Sequence, residues 1–393
     1  MVGVLCLAAL AVHAGSVTNL WAPLEQLVAK QAPAANVDPG RTLAGTTRTL
    51  RDEFNRWLEQ PARYRARALR ECSVFPEGRV YPFAIPALAY ANLGIAYPRQ
   101  RDYAAGRMRT LIDLLVPLVA EDVGPPGGEL LRLTHYQKEG TRLSSLNLVL
   151  ACYALVSDDG RYARLHEHVS RLLRRALIEG GGGPLASYPA YTWYFDTIMA
   201  LTSLELYDRK HGLSETAPLL RKHLAWRKRH ATDPDTGLPI AYPTALPRGC
   251  DLSMQVCLLR QTDVKAAQQL YAKYARHHWV DLGFIAGFRE WPKGKGQSLV
   301  GDIDSAPLIL GIGPTASGVG LGAAKAMNDT VRLHRLARQI PLIPEVVRLL
   351  EPSARPLFGN RIRISTDYVT GFLYGDAVLF YAITWVPYRQ ESE

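Results

Sequence analysis

The stretch "SSLNLVLACYALVSDDGRYARLHEHVSRLL", residues 144–173, joins two helical patterns of opposite character. Its first half, up to Val156, is apolar on nearly every side, as is typical of a helix that is buried all round. After the break "SDDG", apolar residues recur at helical spacing with basic residues between them, as is typical of a helix that covers a buried neighbour. The stretch therefore predicts a hairpin of one inner and one outer helix.

The same alternation recurs along the chain, whereas the period-two pattern of strands is rare. Apolar segments such as "FDTIMALTSLELY" (195–207) and "SAPLILGIGPTASGVGLGAA" (305–324) are followed by basic, amphipathic ones. Helices are expected near residues 44–59, 82–95, 101–120, 143–156, 160–178, 193–211, 215–230, 250–260, 264–279, 305–327, 329–339 and 368–385. Six such hairpins predict an all-α fold, an (α/α)6 barrel with inner and outer helix rings. A helical solenoid is the alternative, although no fixed repeat period is visible.

The glycines of "GIGPTASGVGLGAA" (311–324) do not match a phosphate-binding loop. No strand precedes them and the GxxxxGK[ST] pattern is missing, so the dinucleotide and P-loop interpretations fail. Small residues on an inner helix let neighbouring backbones approach closely, at a cost in helix propensity. We therefore expect this segment to be a closely packed inner wall, and the loop before it (290–304) to form a rim.

The chain has 393 residues, of which 48% are hydrophobic and 21% charged, as is typical of a globular protein. Its 46 basic and 36 acidic residues give a formal charge of +10. The basic runs 161–176 and 219–231 are expected to be solvated faces of outer helices, with contact to a membrane surface as the alternative. A nucleic-acid partner is not expected, because no recognised binding motif is present.

Two regions are expected: an apolar N-terminal segment (1–30) and a single barrel domain (31–393). The start, "MVGVLCLAALAVHAG", lacks a basic leader and is shorter than the roughly 20 residues that span a bilayer. It fits a weak signal peptide, the end of a transmembrane region or a buried first helix. A membrane-associated, periplasmic or secreted location is therefore expected, with the cytoplasm as the remaining alternative. Whether the chain forms a homo-oligomer is left open.

The five cysteines are widely spaced and indicate neither a disulfide framework nor a metal site. No metal or organic cofactor is expected. In an (α/α)6 barrel, the loops at one end form the mouth of a central cavity, and four polar, aromatic segments supply candidates for it. The catalytic candidates are Asp196, Asp251, Asp302, Asp304 and Cys250. The candidates for binding a small-molecule substrate are His135, Tyr136, Ser187, Tyr188, Tyr191, Trp193, Tyr194, Tyr242, Arg248, Arg289, Glu290 and Trp291.

Asp196 is the candidate with the strongest physical reason. It enters an apolar helix in "YTWYFDTIMAL", where an ionised carboxyl is costly to bury unless it is paired. An apolar setting raises the pKa of a carboxyl, which is how a general acid is made near neutral pH. The alternative is a hydrogen-bonded structural aspartate. For Asp251 and Asp304, which stand just ahead of apolar helices, helix capping is the alternative.

The chain resembles the linalool dehydratase/isomerase family, whose fold is an (α/α)6 barrel. The likeness spans about two thirds of the chain and consists more of scaffold patterns than of a catalytic signature. It is carried by residues 144–173, "YFDTIMALTSLELYDRKHG" (194–212), "DPDTGLPIAYP" (233–243), "FRE" (288–290), "DIDSAPLILGIGPTASGVGLGAAKAMND" (302–329) and the last helix with Asp376. Some related enzymes resemble membrane proteins, which would suit the apolar start of this chain.

The catalytic positions depart from the family pattern. Family members use two cysteines around "SYPAYTWYFD", a histidine just before "LNLV" and a tyrosine near "RGCDLS". This chain has Ser187 and Asp196 in place of the cysteines, Ser145 in place of the histidine and Cys250 in place of the tyrosine. The resemblance therefore implies the fold more firmly than the chemistry, although Asp196 keeps a proton-transfer group in the region.

Three functions are compatible with these residues. The leading hypothesis is a lyase or isomerase that uses acid/base chemistry on a hydroxyl-bearing, hydrophobic substrate. In it, Asp196 protonates the departing hydroxyl and a second carboxylate takes or returns a proton. The second hypothesis is a glycoside hydrolase, because paired carboxylates with aromatic neighbours suit that reaction. The third is a barrel that binds a ligand without catalysis.

Overall fold

A computed structural model describes residues 38–74, 78–283, 285–295, 308, 311–345, 347–348 and 368–388. The expected apolar segment 1–30 lies outside them. Over the described residues the chain is mostly helical, which confirms the all-α class. A short antiparallel pair, β1 (Trp279–Asp281) and β2 (Ala286–Phe288), is the exception.

The helices follow one another with short connections. In chain order they are α1 (Pro39–Leu58), α2 (Pro61–Glu71), α3 (Tyr81–Ala96), α4 (Arg101–Val123), α5 (Gly140–Val156), α6 (Ala163–Glu179), α7 (Tyr194–His211), α8 (Thr216–His230), α9 (Gly249–Thr262), α10 (Val264–His278), α11 (Pro314–Ala326), α12 (Thr330–Ala337) and α13 (Leu373–Thr384). Most expected helices agree with these bounds to within a few residues.

The largely buried helices pack against one another in a closed order. Helix α3 contacts α5, α5 contacts α7, and the order continues through α9 and α11 to α13, which contacts α3. Buried polar groups join them: Nδ2 of Asn147 in α5 donates to Oγ of Ser203 in α7 at 2.8 Å. Oδ1 of Asn147 accepts from Oγ of Ser170 in α6 at 3.2 Å, so its amide is bonded at both ends.

The amphipathic helices pack outside this group. Helix α4 lies against α3 and α5, α6 against α5 and α7, and α8 against α7. Likewise α10 packs against α9, α12 against α11, and α1 against α13. In α6 the buried side includes Val169 and Leu173, while Arg164, Arg171 and Arg175 are exposed, as the basic pattern of residues 161–176 predicts.

The glycines of α11 permit the close packing that the sequence indicates. A Cβ added at Gly320 would lie 2.4 Å from the ring of Phe288, and one at Gly322 would lie 3.1 Å from Cα of Ala382 in α13. The start of this helix was expected at residue 305, but α11 begins at Pro314. Residues 305–307 are not among the described ones.

Helix α2 was not predicted from the sequence, so the set of expected helices is corrected by one. Its sequence, "PARYRARALRE", buries only Tyr64 and Ala68, so its apolar pattern is short, although Pro61 marks its start. Within the described residues, no helix combines the length and the apolar character needed to cross a bilayer.

Candidate functional site

A cavity lies at the end of the inner group where its helices begin. Its volume is about 1020 Å³, with open solvent at its mouth included. Lining residues are spaced by one helical turn, for example Tyr81, Ile85 and Leu88 in α3, and Cys250, Met254 and Leu258 in α9. This spacing places them on the one face of each helix that points inward.

Asp196, the third residue of α7, lies on the wall of this cavity and is 1% exposed. Its Oδ2 accepts a hydrogen bond from Oγ1 of Thr141 in α5 at 2.6 Å. Its Oδ1 is buried and accepts no hydrogen bond from the described residues. Burial raises the pKa of Asp196 to about 6, although the hydroxyls of Ser187 and Thr141 and the charge of Arg142 act in the opposite direction.

Asp251, the third residue of α9, lies on the wall of the same cavity. Its Oδ2 accepts from Nε2 of Gln255 at 3.0 Å, and Oε1 of Gln255 accepts from Nη1 of the buried Arg227 at 2.5 Å. Helix capping, the alternative expected for this residue, is not the role it has, because Arg248 occupies the N-cap position. Hydrogen bonds through the side chain of Gln255 therefore link Asp251 at the cavity to Arg227 of α8.

The two carboxyls influence each other. Burial raises the pKa of Asp251 to about 7, and the negative charge of Asp196 adds to this rise, while Gln255, Arg248 and Arg227 lower it. Like charges in one site disfavour double ionisation, so the second proton leaves at a higher pH than the first. Near pH 6 to 7 the pair is therefore expected to hold about one proton, with one carboxyl as acid and the other as base.

Arg248 and Glu290 form a buried ion pair beside these carboxyls. Nε of Arg248 donates to Oε1 of Glu290 at 2.8 Å, and both side chains are almost fully buried. The guanidinium of Arg248 also lies 5.3 Å from the ring of Trp193 and 5.7 Å from that of Trp291. Sγ of Cys250 donates to Oε1 of Glu290 at 3.1 Å. Glu290 therefore holds two residues of the cavity wall, Arg248 and Cys250, without lining the cavity itself.

The loop before α7 places aromatic rings at the mouth. Tyr188 and Tyr191 pair as an isolated antiparallel bridge, and Nε1 of Trp193 donates to the Tyr188 hydroxyl at 2.8 Å. Both Tyr188 and Trp193 line the cavity, and Tyr242 packs edge-on against Trp193. Ser187 lies behind this loop, where its hydroxyl accepts from the Trp193 amide at 2.7 Å.

Much of the cavity wall is apolar. It is formed by side chains that the inner helices contribute at successive turns, namely Ile85, Leu88, Leu148, Met199, Met254, Leu258, Val319 and Val378. Ser145, which also lines the cavity, donates to Sδ of Met199 at 3.4 Å. Such a surface favours an apolar ligand with few polar groups.

The structure brings some of the sequence-predicted residues together and leaves others apart. Asp196, Asp251, Cys250, Arg248, Tyr188 and Trp193 line the cavity. Ser187, Tyr242, Glu290 and Trp291 contact residues of this wall without being part of the lining. Asp302 and Asp304 lie outside the described residues.

Five further candidates are not part of the cavity lining. Tyr194 is buried against Trp226 of α8, because it lies two residues from Asp196 and so on another side of α7. The hydroxyl of Tyr136 donates to the carbonyl of Ala186. Tyr191 and His135 are exposed, and the Arg289 amide donates to the His278 carbonyl at 2.8 Å.

Sequence reasoning missed several residues of this site. Thr141, Gln255, Tyr81 and Tyr374 were not selected, yet three of them line the cavity and Gln255 holds Asp251. The available signal was spacing: Gln255 follows Asp251 by four residues, and so shares its helix face. The chain matches no protein-family model, and no curated protein is significantly similar to it.

Proposed function

We propose that the protein is a hydro-lyase or isomerase that breaks the C–O bond of a hydrophobic, terpenoid-like alcohol. One observation carries the proposal: Asp196 and Asp251 line one largely apolar cavity, and the charge of Asp196 raises the pKa of Asp251. The resemblance to the linalool dehydratase/isomerase family supports the same reaction class, with the carboxyl of Asp196 in place of one of the family's two cysteines.

We also propose that the fold is the (α/α)6 barrel of that family. The closed packing order of α3, α5, α7, α9, α11 and α13 supports it, as does the position of the amphipathic helices outside this order. In such a barrel the inner helices run parallel, so their first turns meet at one end. The cavity lined by those first turns agrees with this arrangement.

The proposed reaction begins with a proton on Asp251, the carboxyl with the higher pKa. Asp251 donates this proton to the hydroxyl oxygen, and the C–O bond breaks with its electron pair leaving on water. Asp196 then takes a proton from the carbon next to the cation, and the C–H electron pair forms the double bond. The released water then relays the proton from Asp196 to Asp251, which restores the starting protonation of both carboxyls. This order of acid and base is the reverse of the one expected from the sequence.

Isomerisation uses the same groups. Water adds to the other end of an allylic cation, and the carboxylate of Asp251 accepts the proton that this water loses. Tyr81, Tyr188, Trp193 and Tyr374 line the cavity and would stabilise the cation through their ring faces, an interaction of about 2 kcal/mol per ring at a dry site.

A glycoside hydrolase would use the same pair of carboxyls, but the lining disfavours it. A sugar carries a hydroxyl on most of its carbons and needs a polar partner for each when it is buried. Apart from the two carboxyls, Arg248 and a few hydroxyl groups, the lining instead consists of aliphatic, methionine and aromatic side chains. An alcohol with one hydroxyl and a hydrocarbon body suits both the carboxyls and the apolar side chains of the lining.

The test is incubation of the full chain with C10 allylic alcohols, including linalool and geraniol, in H2(18)O. Isotope entering the alcohol reports C–O cleavage even where equilibrium disfavours the alkene, and gas chromatography detects the alkene itself. Asp196→Asn and Asp251→Asn should each lower the rate by at least about 100-fold. Asp102→Asn, which changes the exposed first-turn aspartate of α4, should leave it unchanged.

Other outcomes would overturn the proposal. Release of nitrophenol from aryl glycosides, abolished by the same two Asn variants, would make the protein a glycoside hydrolase. Binding of these alcohols that is unaffected by both variants, with neither alkene nor isotope exchange, would make it a binding scaffold.

A further inference from the structure

Two adjacent outer helices, α6 and α8, expose a surface that carries many more cations than carboxylates. The exposed cations are Arg164, Arg171 and Arg175 of α6 and Arg221, Lys222, Lys228 and Arg229 of α8, whereas the exposed carboxylates of these helices are Glu167 and Glu179. The two helices contact each other, and we name their exposed cations together the basic face.

The basic face is not neutralised within the described part of the chain. Helix α8 contains no acidic residue, and the neighbouring carboxylates of Asp208 and Glu215 are bound by Arg174 of α6. None of the seven cations forms an ion pair with a described residue, although Arg171 lies 3.3 Å from His168. Their mutual repulsion disfavours the folded state unless an external anion compensates for it.

The basic face adjoins the loop before α7, which contributes Tyr188 and Trp193 to the cavity lining. Helix α6 ends at Glu179, and the loop that follows it leads through Tyr188 into the first turn of α7. The side chain of Lys222 packs over Gly182 in this loop. The ring of Trp226 in α8 lies 5.7 Å from that of Tyr194, which begins α7.

Two large apolar side chains are exposed in this loop and in the helix end just before it. Ile178, near the end of α6, is 57% exposed, and Tyr191, in the loop itself, is 59% exposed. An aliphatic and an aromatic side chain next to lysines and arginines match the two layers of a membrane interface, where acyl chains adjoin charged headgroups.

We propose that the basic face docks the protein on an anionic phospholipid bilayer, with Ile178 and Tyr191 entering the interface. An apolar ligand that fits this cavity partitions into bilayers, so docking beside the mouth places the cavity near its ligand. Anionic headgroups supply the negative charge that the basic face lacks, because lysine and arginine near the surface are attracted to them. This docking does not depend on the reaction performed inside.

The test is co-sedimentation of the full chain with vesicles of phosphatidylcholine alone or with about one third phosphatidylglycerol. We expect binding to the anionic vesicles only, weakened by added salt. The variant R175E/K222E/K228E/R229E should lose at least about 100-fold in affinity. A matched control, R48E/R56E/K265E/R276E, has the same formal charge but changes exposed cations of α1 and α10, and it should bind like the native chain.

Several results would overturn this proposal. Equal loss in both quadruple variants would make the effect one of net charge. Unchanged binding of the first variant would assign docking to another part of the chain, such as the apolar start. Preferential binding of the native chain to duplex DNA at the same salt would identify a nucleic-acid surface. Because the assay has no catalytic readout, its failure and that of the proposed reaction are distinguishable.

Discussion

Gln255 fixes which oxygen of Asp251 can carry a proton. Arginine has only donors, so Arg227 must face the carbonyl oxygen of Gln255, and the amide nitrogen must then face Asp251. Oδ2 of Asp251 is therefore an acceptor, and a proton on this carboxyl belongs on Oδ1. In the proposed reaction Gln255 is therefore a positioning residue, since it leaves Oδ1 of Asp251 as the oxygen that donates the proton.

Replacement of Gln255 should move the alkaline limb of the pH–rate profile. The Gln255 hydrogen bond lowers the pKa of Asp251, so Gln255→Met should raise this pKa by roughly one unit or less, the equivalent of about 1 kcal/mol. Gln255→Glu adds a negative charge and should raise it further. Activity that needs protonated Asp251 would then persist to higher pH in the order native, Met, Glu. An alkaline limb that stays in place in both variants would show that Asp251 is not the acid.

Asp196 should make stability depend on pH in the direction opposite to that of a paired carboxylate. Its folded pKa is about 6, against an ordinary value of 3.8, so the folded chain binds the proton more tightly. The contribution of Asp196 to the free energy of unfolding is then highest below about pH 4 and is lost as the pH rises through 6. In Asp196→Asn this fall is absent, so the difference in unfolding free energy between variant and native should change by up to about 3 kcal/mol from pH 4 to pH 8. Denaturant titrations at each pH measure this difference. A difference between the two proteins that stays constant from pH 4 to pH 8 would contradict the prediction.

Cys250 should be the described cysteine that alkylation reaches first. It lines the cavity, whereas Cys72, Cys152 and Cys257 are buried, and burial raises the pKa of Cys72 and Cys152 to about 12. N-ethylmaleimide at pH 8 should therefore fill the cavity and abolish ligand binding, and bound ligand should protect the thiol. Cys250→Ser should keep most of the activity and resist the reagent. If this variant is inactive although folded, the thiol itself takes part in the reaction.

Gly249 is required by a close approach at the start of α9. A Cβ at this position would lie 2.1 Å from the carbonyl oxygen of Arg289 and 2.9 Å from Cβ of Ala316. Gly249→Ala should therefore destabilise the fold by at least about 3 kcal/mol and displace Asp251, two residues further on. The matched change Gly45→Ala, in open space on α1, should stabilise it by about 0.5–1 kcal/mol. Thermal unfolding of both variants checks the pair, and equal effects would contradict the role of the approach.

The helices could be predicted from the sequence where burial controls the pattern. In α5 and α6 an all-round apolar helix is followed by an amphipathic one, and both are found as expected. Helix α2 was missed because few of its residues, Tyr64 and Ala68, are buried, although it contacts α1 and α4. Periodicity reports burial, so a helix with little of it gives a weak signal.

The site could be predicted only in part, for a geometric reason. Asp196 was selected because a carboxyl in an apolar helix needs an explanation, and Asp251 because its segment is rich in polar side chains; both line the cavity. Tyr194 was selected with them from the same aromatic segment, but it faces α8. The composition of a segment does not show which way each side chain points. Two residues that are two positions apart on a helix point to different sides of it. Thr141 supports Asp196 from another helix, a contact that depends on the packing of α5 against α7.

Asp196 and Asp251 occupy the same position, the third residue, of α7 and α9. The partial positive charge that backbone amides place at the start of a helix is therefore similar at both carboxyls. A proton that passes from Asp251 to Asp196 moves the negative charge from the start of α7 to the start of α9, between two equivalent fields. Repetition of the helical hairpin thus gives the proposed acid and base the same field at a helix start, so the difference between their pKa values comes from their side-chain neighbours, Thr141 beside Asp196 and Gln255 and Arg227 beside Asp251.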